Sequence, residues 1–340
     1  MHDLSRGQLV VTGGAGLIGS ALVWALNRRG LDDILVVDRL DSSEKWRNLV
    51  PLRYADYLDA DEFERRVLES PGAFDGVAAV FHLGACSATT ETDSAYLMRN
   101  NYAYTKHLAH WAAERGVRFV YASSAATYGP LEENLSDECD LQSLRPLNMY
   151  AYSKHRFDLY ARRSGLLDHI TGLKYFNVFG PNEQHKGGMR SLVDKAYRQI
   201  RERGVVELFR SYRPEFRDGE QRRDFLYVKD AVEMSLHLAS APAYGLFNIG
   251  SGSAHTWLDL VRPIFRALDL PERIEFVPMP PELREKYQYF TCARIERLRA
   301  AGYDRPIQPL ETAVDDYVRN YLVSDARLDP AQAPATAAVK

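Results

Sequence analysis

Cysteine is scarce in this chain. Its 340 residues hold three, Cys86, Cys139 and Cys292, odd in number and far apart. That excludes a disulfide-stapled secreted scaffold and fits a reducing compartment. No cysteine or histidine pair has metal-ligand spacing, so no metal is expected. No run of about 18 apolar residues occurs, so no membrane-spanning helix is expected. The N-terminus, MHDLSRGQLVVTGG, lacks the apolar core and small-residue cleavage pattern of a leader peptide. The expectation is a cytoplasmic protein. Excess charge is also missing: 43 Lys and Arg stand against 46 Asp and Glu, a net charge of −3. Nothing in that balance calls for nucleic acid or an anionic membrane as a partner.

What is present is ordinary for a globular protein, 46% hydrophobic and 26% charged residues. The length suits two domains, or one large domain with an added lobe. Short apolar runs alternate with helical patterns through the first half. QLVVT (8–12) precedes the helix-like ALVWALNRRG, and ILVVD (34–38) follows. AAVFHLG (78–84) leads into the long pattern SAYLMRNNYAYTKHLAHWAAERG, which closes on Gly116, and RFVYASS (118–124) comes next. Strands alternating with helices imply a parallel, doubly wound α/β sheet, and unbroken apolar runs suit strands buried on both faces. After about residue 176 the loops carry more Pro, Gly and Arg, so the chain is expected to cross between two lobes more than once. DFLYVKDAVEMSLHLAS and LFNIG read as a further helix and strand of the α/β domain. The Ala- and Pro-rich end, 326–340, lacks an apolar face and is expected to be a disordered tail.

VVTGGAGLIGS (10–20) sets Gly13, Gly16 and Gly19 between a predicted strand and a predicted helix. Glycines there permit a tight turn and close approach to a pyrophosphate, which the helix N-terminus then attracts. Asp38 ends the next strand roughly twenty residues past Gly19, where a ribose-binding acid is expected. Together these predict a dinucleotide cofactor. Asp38 alone favours NAD. Arg39, Lys45 and Arg53 are either solvated surface residues or holders of the 2′-phosphate of NADP.

MYAYSK (149–154) offers two tyrosines ahead of one lysine. Residues four apart share a helix face and residues two apart do not, so Tyr150 and Lys154 project together while Tyr152 is expected to pack elsewhere. A phenol titrates near pH 10, too high for a base at neutral pH, and a neighbouring ammonium favours phenolate. Upstream, YASSAATYG places Ser123 and Ser124 at the end of a strand, where open α/β sheets bind ligands.

TGGAGLIG, Asp38, the Ser-rich strand end and YxxxK resemble the extended short-chain dehydrogenase/reductase superfamily. More narrowly, HLGACSATTETD, NNYAYTK, YASSAATYG, YAYSK, KYFNVFGPNEQHKGGM, RRDFLYV and KYQYFT are similar to ADP-L-glycero-D-manno-heptose 6-epimerases, from about residue 9 to about residue 322. The resemblance implies a Rossmann domain over 1–176, with 220–250 returning to it. A smaller C-terminal α/β substrate lobe is implied from 177–219 and 251–325. It also implies a homo-oligomer, a ring of five, acting on a nucleotide-sugar with bound NADP, for lipopolysaccharide precursor synthesis.

Dehydratases of this superfamily carry an Asp-Glu pair where this chain has Ala125 and Ala126, which argues against loss of water. Epimerisation by oxidation and re-reduction needs proton handling on both faces of the reacting carbon, and two groups are the simpler solution. The resemblance assigns the second group to Lys186 of the His185-Lys186-Gly187 segment, opposite Tyr150, with Ser124 on the reacting oxygen and Lys154 supporting Tyr150 and the ribose. It implies further cofactor contacts at Leu17, Ile18, Leu83, Gly84, Ala85, Cys86, Ser87, Asn100 and Val178, besides Tyr150, Lys154 and Lys186 themselves. Substrate contacts are implied at Ser124, Asn177, Gly188, Lys195, Phe209, Arg223 and Tyr287. Arg223 suits a diphosphate, unless it pairs with Asp224 or Glu220. The chain departs from the family pattern at Gly188, often serine, at Lys195, often histidine, and in FRSYRPEFRDGEQ. Three other functions stay open: another sugar-nucleotide epimerase such as a hexose 4-epimerase, a net oxidoreductase, and a non-catalytic NADP-binding sensor.

Overall fold

The computed structural model describes residues 1–284 and 287–332. Its central sheet contains β1 (Gln8–Thr12), β2 (Ile34–Asp38), β3 (Asp56–Asp59), β4 (Val77–His82), β5 (Arg118–Ser124), β6 (Thr171–Tyr175) and, far later in the chain, β10 (Gly245–Ile249). The strand order is β10-β6-β5-β4-β1-β2-β3, and every pairing is parallel. This is the doubly wound α/β sheet expected of the alternating pattern. From β1 the chain winds outward through β2 and β3, then crosses to β4 on the other side of β1. The strand order therefore reverses between β1 and β4, and a crevice opens beyond their C-terminal ends.

Two-residue periodicity explains why the sheet is covered on both faces. Leu9, Val11, Val36, Phe81 and Val120 face one core, shared with α1 (Leu17–Asn27) and with a later helix over Val228–Ser240. Val10, Leu35, Val37, Val80 and Phe119 face the other. That core is closed by α2 (Ala60–Glu69) and by two further helices over Tyr104–Glu114 and Met149–Arg163. The apolar runs bury on both sides because neither face meets water.

The long pattern 94–116 is not one continuous α-helix. It runs as α3 (Ser94–Leu97), a wide π turn over Met98–Ala103, and α4 (Tyr104–Glu114). The π turn places both Asn100 and Asn101 in buried positions. α5 (Met149–Arg163) starts at an N-cap, Asn148, whose side chain accepts from Ala151 N–H at 2.8 Å.

Beyond Phe176 the chain leaves the central sheet. β7 (Asn177–Phe179), β9 (Arg222–Tyr227) and β11 (Ala254–Thr256) form a three-stranded sheet, and β8 (Val206–Phe209) pairs with β12 (Ile274–Val277). α6 (Leu192–Arg203) precedes β8, and α7 (Val228–Ser240) precedes β10. α8 (Trp257–Ala267), the short α9 (Pro281–Arg284) and α10 (Glu296–Ala300), and α11 (Leu310–Tyr317) follow, and a π turn over Val318–Leu322 continues from α11. The stretch expected to return at residue 220 therefore rejoins the central sheet only with α7 and β10. Residues 222–227 are apolar enough for a buried strand, but their partners are β7 and β11. The part of the expected tail that is described, 326–332, is not disordered throughout. Leu328 is fully buried and its N–H donates to Asn182 Oδ1 at 3.0 Å. Residues 333–340 lie outside the described residues. Among the described residues no helix is long and apolar enough to cross a membrane.

One buried polar cluster joins β5, α5 and β6. Lys174 Nζ donates to Asp158 Oδ2 at 2.9 Å and to Thr127 Oγ1 at 2.6 Å, and both charged side chains are fully buried. Tyr121 and Ser123 donate their hydroxyls to the same carboxylate. Removing one partner leaves an uncompensated buried charge. Lys174→Met should cost about 3–5 kcal/mol of stability, read as a lower midpoint in urea denaturation.

Candidate active site

The glycine turn sits at the crevice. Gly13 follows β1 at φ +67°, and a Cβ there would lie 2.7 Å from Gly84 N. A Cβ on Gly19 would lie 2.1 Å from Gly13 O, so the helix can start this close to the strand only with glycine. Gly16 caps α1 without any side-chain bond, which leaves the first N–H groups of the helix free. Leu17 is buried and Ile18 half-buried behind them. An uncapped helix start against a bare backbone turn fits the pyrophosphate of a dinucleotide.

Asp38 ends β2 as expected, with its carboxylate already engaged. Oδ2 accepts from Ala15 N–H at 2.9 Å, and Oδ1 accepts from Arg39 N–H and Lys45 Nζ, both at 2.8 Å. Arg39 donates to Asp61 from Nε at 3.1 Å and also bonds Asn100 Oδ1. The Arg39 guanidinium holds the Asp61 carboxyl below its usual range. Lys45 and Arg39 thus flank Asp38. Arg53 does not join them. Its guanidinium donates to Asn27 O at 3.0 Å, at the far end of the 11-residue α1. That is about 16 Å along the helix from Gly16, so in this structure the Arg53 guanidinium binds the helix end and does not stand with Lys45 and Arg39 at Asp38.

β4 is locked to β1 through His82, whose ring lies 2.7 Å from Thr12 Oγ1 and 2.9 Å from Thr105 Oγ1. Full burial keeps this imidazole neutral. Leu83 and Gly84 donate their N–H groups to Thr12 O and Oγ1, both at 3.1 Å. Ala85 and Cys86 are half-buried and Ser87 is exposed. Asn101, which sequence reasoning missed, grips the backbone of Cys86 at both N–H (2.9 Å) and O (3.0 Å), and also bonds Ser153. Its only sequence signal was the Asn100-Asn101 doublet.

Ser124 and Tyr150 come together. Ser124 ends β5, and Tyr150 on α5 hydrogen-bonds to it. Burial raises the phenol pKa, and the Ser124 bond opposes that rise. One turn on, Lys154 is 4% exposed and donates to Ala122 O at 2.8 Å. Tyr150 meets residue 124 and Lys154 meets residue 122, so α5 runs back along β5 with both side chains facing it. Burial pulls the Lys154 ammonium down to about 8, against the opposing charge of Asp158. Tyr152 is not packed as expected; it is 43% exposed on the outer face of the helix. Ser123 turns away from the crevice into the Asp158 cluster.

Lys186 lies in a short helical turn over Gln184–Met189, half-buried, with Gly187 at φ +52°. Burial lowers its pKa, and Glu183 opposes the shift. Next to it, His185 Nδ1 lies 3.3 Å from Asn48 Nδ2. His185 is pushed down to about 4, first by burial and then by Lys186 and Lys45. The turn carrying Lys186 therefore packs against the same segment, Glu44–Asn48, that brings Lys45 to Asp38. Gly188 is exposed, and Lys195 on α6 is exposed but close enough to lower the Lys186 pKa. Asn177 is exposed and Val178 half-buried at the start of β7, just beyond Tyr175, the register partner of Ser124.

Farther out, Arg223 is 7% exposed and makes no ion pair among the described residues. It donates to Arg222 O at 2.8 Å and to Gln288 O, and its guanidinium lies 5.1 Å from the Tyr287 ring and 5.7 Å from the Trp257 ring. Asp224 is engaged elsewhere, accepting from Ser251, Gly252 and Ala293. The Asp224 and Glu220 pairings weighed from sequence are therefore not made. Trp257 Nε1 donates to Tyr287 Oη at 2.8 Å, a contact no sequence pattern signalled. Phe209 ends β8 half-buried, its carbonyl accepting from Gln221 at 3.4 Å. Among the described residues no group of three or more His, Cys, Asp or Glu could hold a metal ion.

The uncapped glycine turn, with Ser124, Tyr150 and Lys154 grouped beyond the sheet, defines an enzyme that works with a nicotinamide dinucleotide. The model described as "NAD dependent epimerase/dehydratase family" matches residues 9–250. The ADP-L-glycero-D-manno-heptose-6-epimerase of Nitratidesulfovibrio vulgaris is 53% identical over 317 residues, 93% of this chain and 98% of that protein. The protein of the same name from Fusobacterium nucleatum is 46% identical over 328 residues, again 93% and 98% of the two chains. The crystal structure of the Helicobacter pylori ADP-L-glycero-D-manno-heptose-6-epimerase superposes with a TM-score of 0.79 at 25% identity, covering 94% of this chain and 98% of that one. The chain belongs to the NAD dependent epimerase/dehydratase family and, within it, to the ADP-L-glycero-D-manno-heptose-6-epimerases.

Lys154 generates a pH test. Between about 8 and the usual lysine value of 10.5, the unfolded chain holds a proton on Lys154 that the folded chain has lost. Stability therefore rises with pH across that window, by on the order of 3 kcal/mol at most. In Lys154→Met this rise should be absent when denaturation midpoints at pH 8 and pH 10 are compared with wild type.

Proposed function

We propose that this protein inverts carbon 6 of the heptose in ADP-D-glycero-D-manno-heptose to give ADP-L-glycero-D-manno-heptose. The product would supply activated heptose for the lipopolysaccharide inner core. The observation that supports this reading is two desolvated groups able to carry a proton, a phenol and an amine, on separate elements. Tyr150 is bonded to Ser124 on the sheet side, and Lys186 stands in a turn packed on the cofactor side. A bound nicotinamide would supply the hydride chemistry, taking hydride from carbon 6 and returning it to the opposite face.

The chain's own residues do the rest. Ser124 hydrogen-bonds the reacting oxygen. Tyr150 and Lys186 give and take the alcohol proton on opposite faces, and burial moves the lysine toward a working pKa. Lys154 supports Tyr150 and holds the ribose. Leu17, Ile18, the Leu83–Ser87 stretch, Asn100 and Val178 line the cofactor; Asn177, Gly188, Lys195 and Phe209 border the sugar. The buried Arg223, which makes no ion pair among the described residues, meets the diphosphate together with Tyr287, and the diphosphate charge offsets its own. NADP is the cofactor we favour over NAD, because Lys45 neutralises Asp38 and Arg39 stands beside it. We further read the protein as a cytosolic homo-oligomer, a ring of five by family resemblance.

Proton NMR of ADP-D-glycero-D-manno-heptose with purified protein and no added cofactor should show conversion to the L-glycero epimer. No conversion by cofactor-loaded protein would reject the substrate. Tyr150→Phe and Lys186→Ala should each slow turnover by about 10²-fold or more; wild-type rates in both would remove the mechanism. Arg223→Met should raise KM for the sugar nucleotide by roughly tenfold or more, with kcat far less affected.

A further inference from the structure

The turn carrying Lys186 is tied to the cofactor-side helix through one side chain. Asn182 is fully buried and holds φ at +77°, a left-handed conformation that a non-glycine residue keeps only when its surroundings hold it there. Its Nδ2 donates to Ser20 Oγ at 2.9 Å, and Ser20 Oγ donates in turn to Gly16 O at 2.6 Å. Its Oδ1 accepts from Leu328 N–H at 3.0 Å. Its carbonyl accepts from Asn48 Nδ2 at 2.9 Å, and Asn48 Nδ2 also reaches Ala15 O at 2.9 Å. Both ends of the Asn182 amide are thus bonded outside its own loop, one to the glycine-turn helix and one to the C-terminal segment.

From Asn182 the chain reaches Lys186 in four residues that are themselves held. Glu183 is buried, accepts from Ser191 N–H and Oγ, both at 2.6 Å, and takes the Lys186 N–H on its carbonyl at 2.9 Å. Gln184 Nε2 reaches Ala326 O at 3.4 Å. A displacement at Asn182 therefore has little slack to absorb it before Lys186. Proton transfer depends steeply on such placement.

We infer that Asn182 is a positioning residue for Lys186. It sets the register of that turn against the helix that receives the cofactor phosphates, and Leu328 closes the tie from the C-terminal side. This rests on the reading of Lys186 as a proton-handling group.

The test is a double-mutant cycle on the full-length, cofactor-loaded protein. Asn182→Gly keeps the left-handed backbone and removes both amide bonds. Heptose epimerisation is followed by NMR in wild type, Asn182→Gly, Lys186→Ala and the double variant, with the Tm and cofactor content of each. Asn182→Gly should lower kcat by roughly 10- to 100-fold, leave KM within about threefold, and add nothing further in the Lys186→Ala background. An equal loss in both backgrounds overturns the inference and makes Asn182 a purely structural residue. A wild-type rate in Lys186→Ala removes the Lys186 reading, and this inference with it. A slow Lys186→Ala beside a wild-type-like Asn182→Gly removes this inference alone. If Asn182→Gly does not fold, Ser20→Ala deletes the acceptor of the Nδ2 bond and enters the same cycle with the same outcomes.

Discussion

Ala15 is held at both ends of its peptide, and much of the site depends on that grip. Its N–H donates to Asp38 and its carbonyl accepts from Asn48. A backbone turn outside helix and sheet must find such partners when buried. Here the partners are side chains from the end of β2 and the segment after it. The same two side chains reach onward, Asp38 to Lys45 and Asn48 to Asn182. The glycine turn, Asp38 at the end of β2 and the loop bearing Lys186 thus share one hydrogen-bonded frame.

Burial governs the electrostatics of the crevice. It raises the phenol of Tyr150 and lowers Lys154, Lys186 and Arg223, in each case favouring the neutral form. For Lys186 the direction suits the proton-handling role proposed for it, because such a group works best near the ambient pH. Arg223, buried and without an ion pair among the described residues, offers an environment suited to an anion. The Asp158–Lys174 pair behind the crevice holds β5, α5 and β6 together, so that Ser124, Tyr150 and Lys154 keep their relation.

Much of this was legible along the chain, for local reasons. The apolar runs at 8–12, 34–38 and 118–124 are strands with those bounds, and 149–163 is a helix with Tyr150 and Lys154 on one face. Where expectation failed, the missing fact was a partner. Arg53 looked close to Asp38 in sequence, yet a helix length separates them. Residues 222–227 have the composition of a central strand but pair with β7 and β11. Leu328 lies in an Ala- and Pro-rich end, yet it is buried in the apolar core and its N–H donates to Asn182. Asn101 shows only as a doublet with Asn100 and Trp257 shows no pattern; only folding brings them to Cys86 and Tyr287.

By itself, then, the sequence determined what short-range physics controls: the periods of strands and helices, the glycines that allow a tight turn, and the shared face of residues four apart. Its motifs also carried the family, since they record chemistry rather than contacts. Tertiary structure alone decided which charges are neutralised, which side chains lose water, and which loop rests on which helix. Those depend on residues distant in the chain, such as Ser20 and Asn182, or Ala15 and Asn48, whose approach no local pattern encodes.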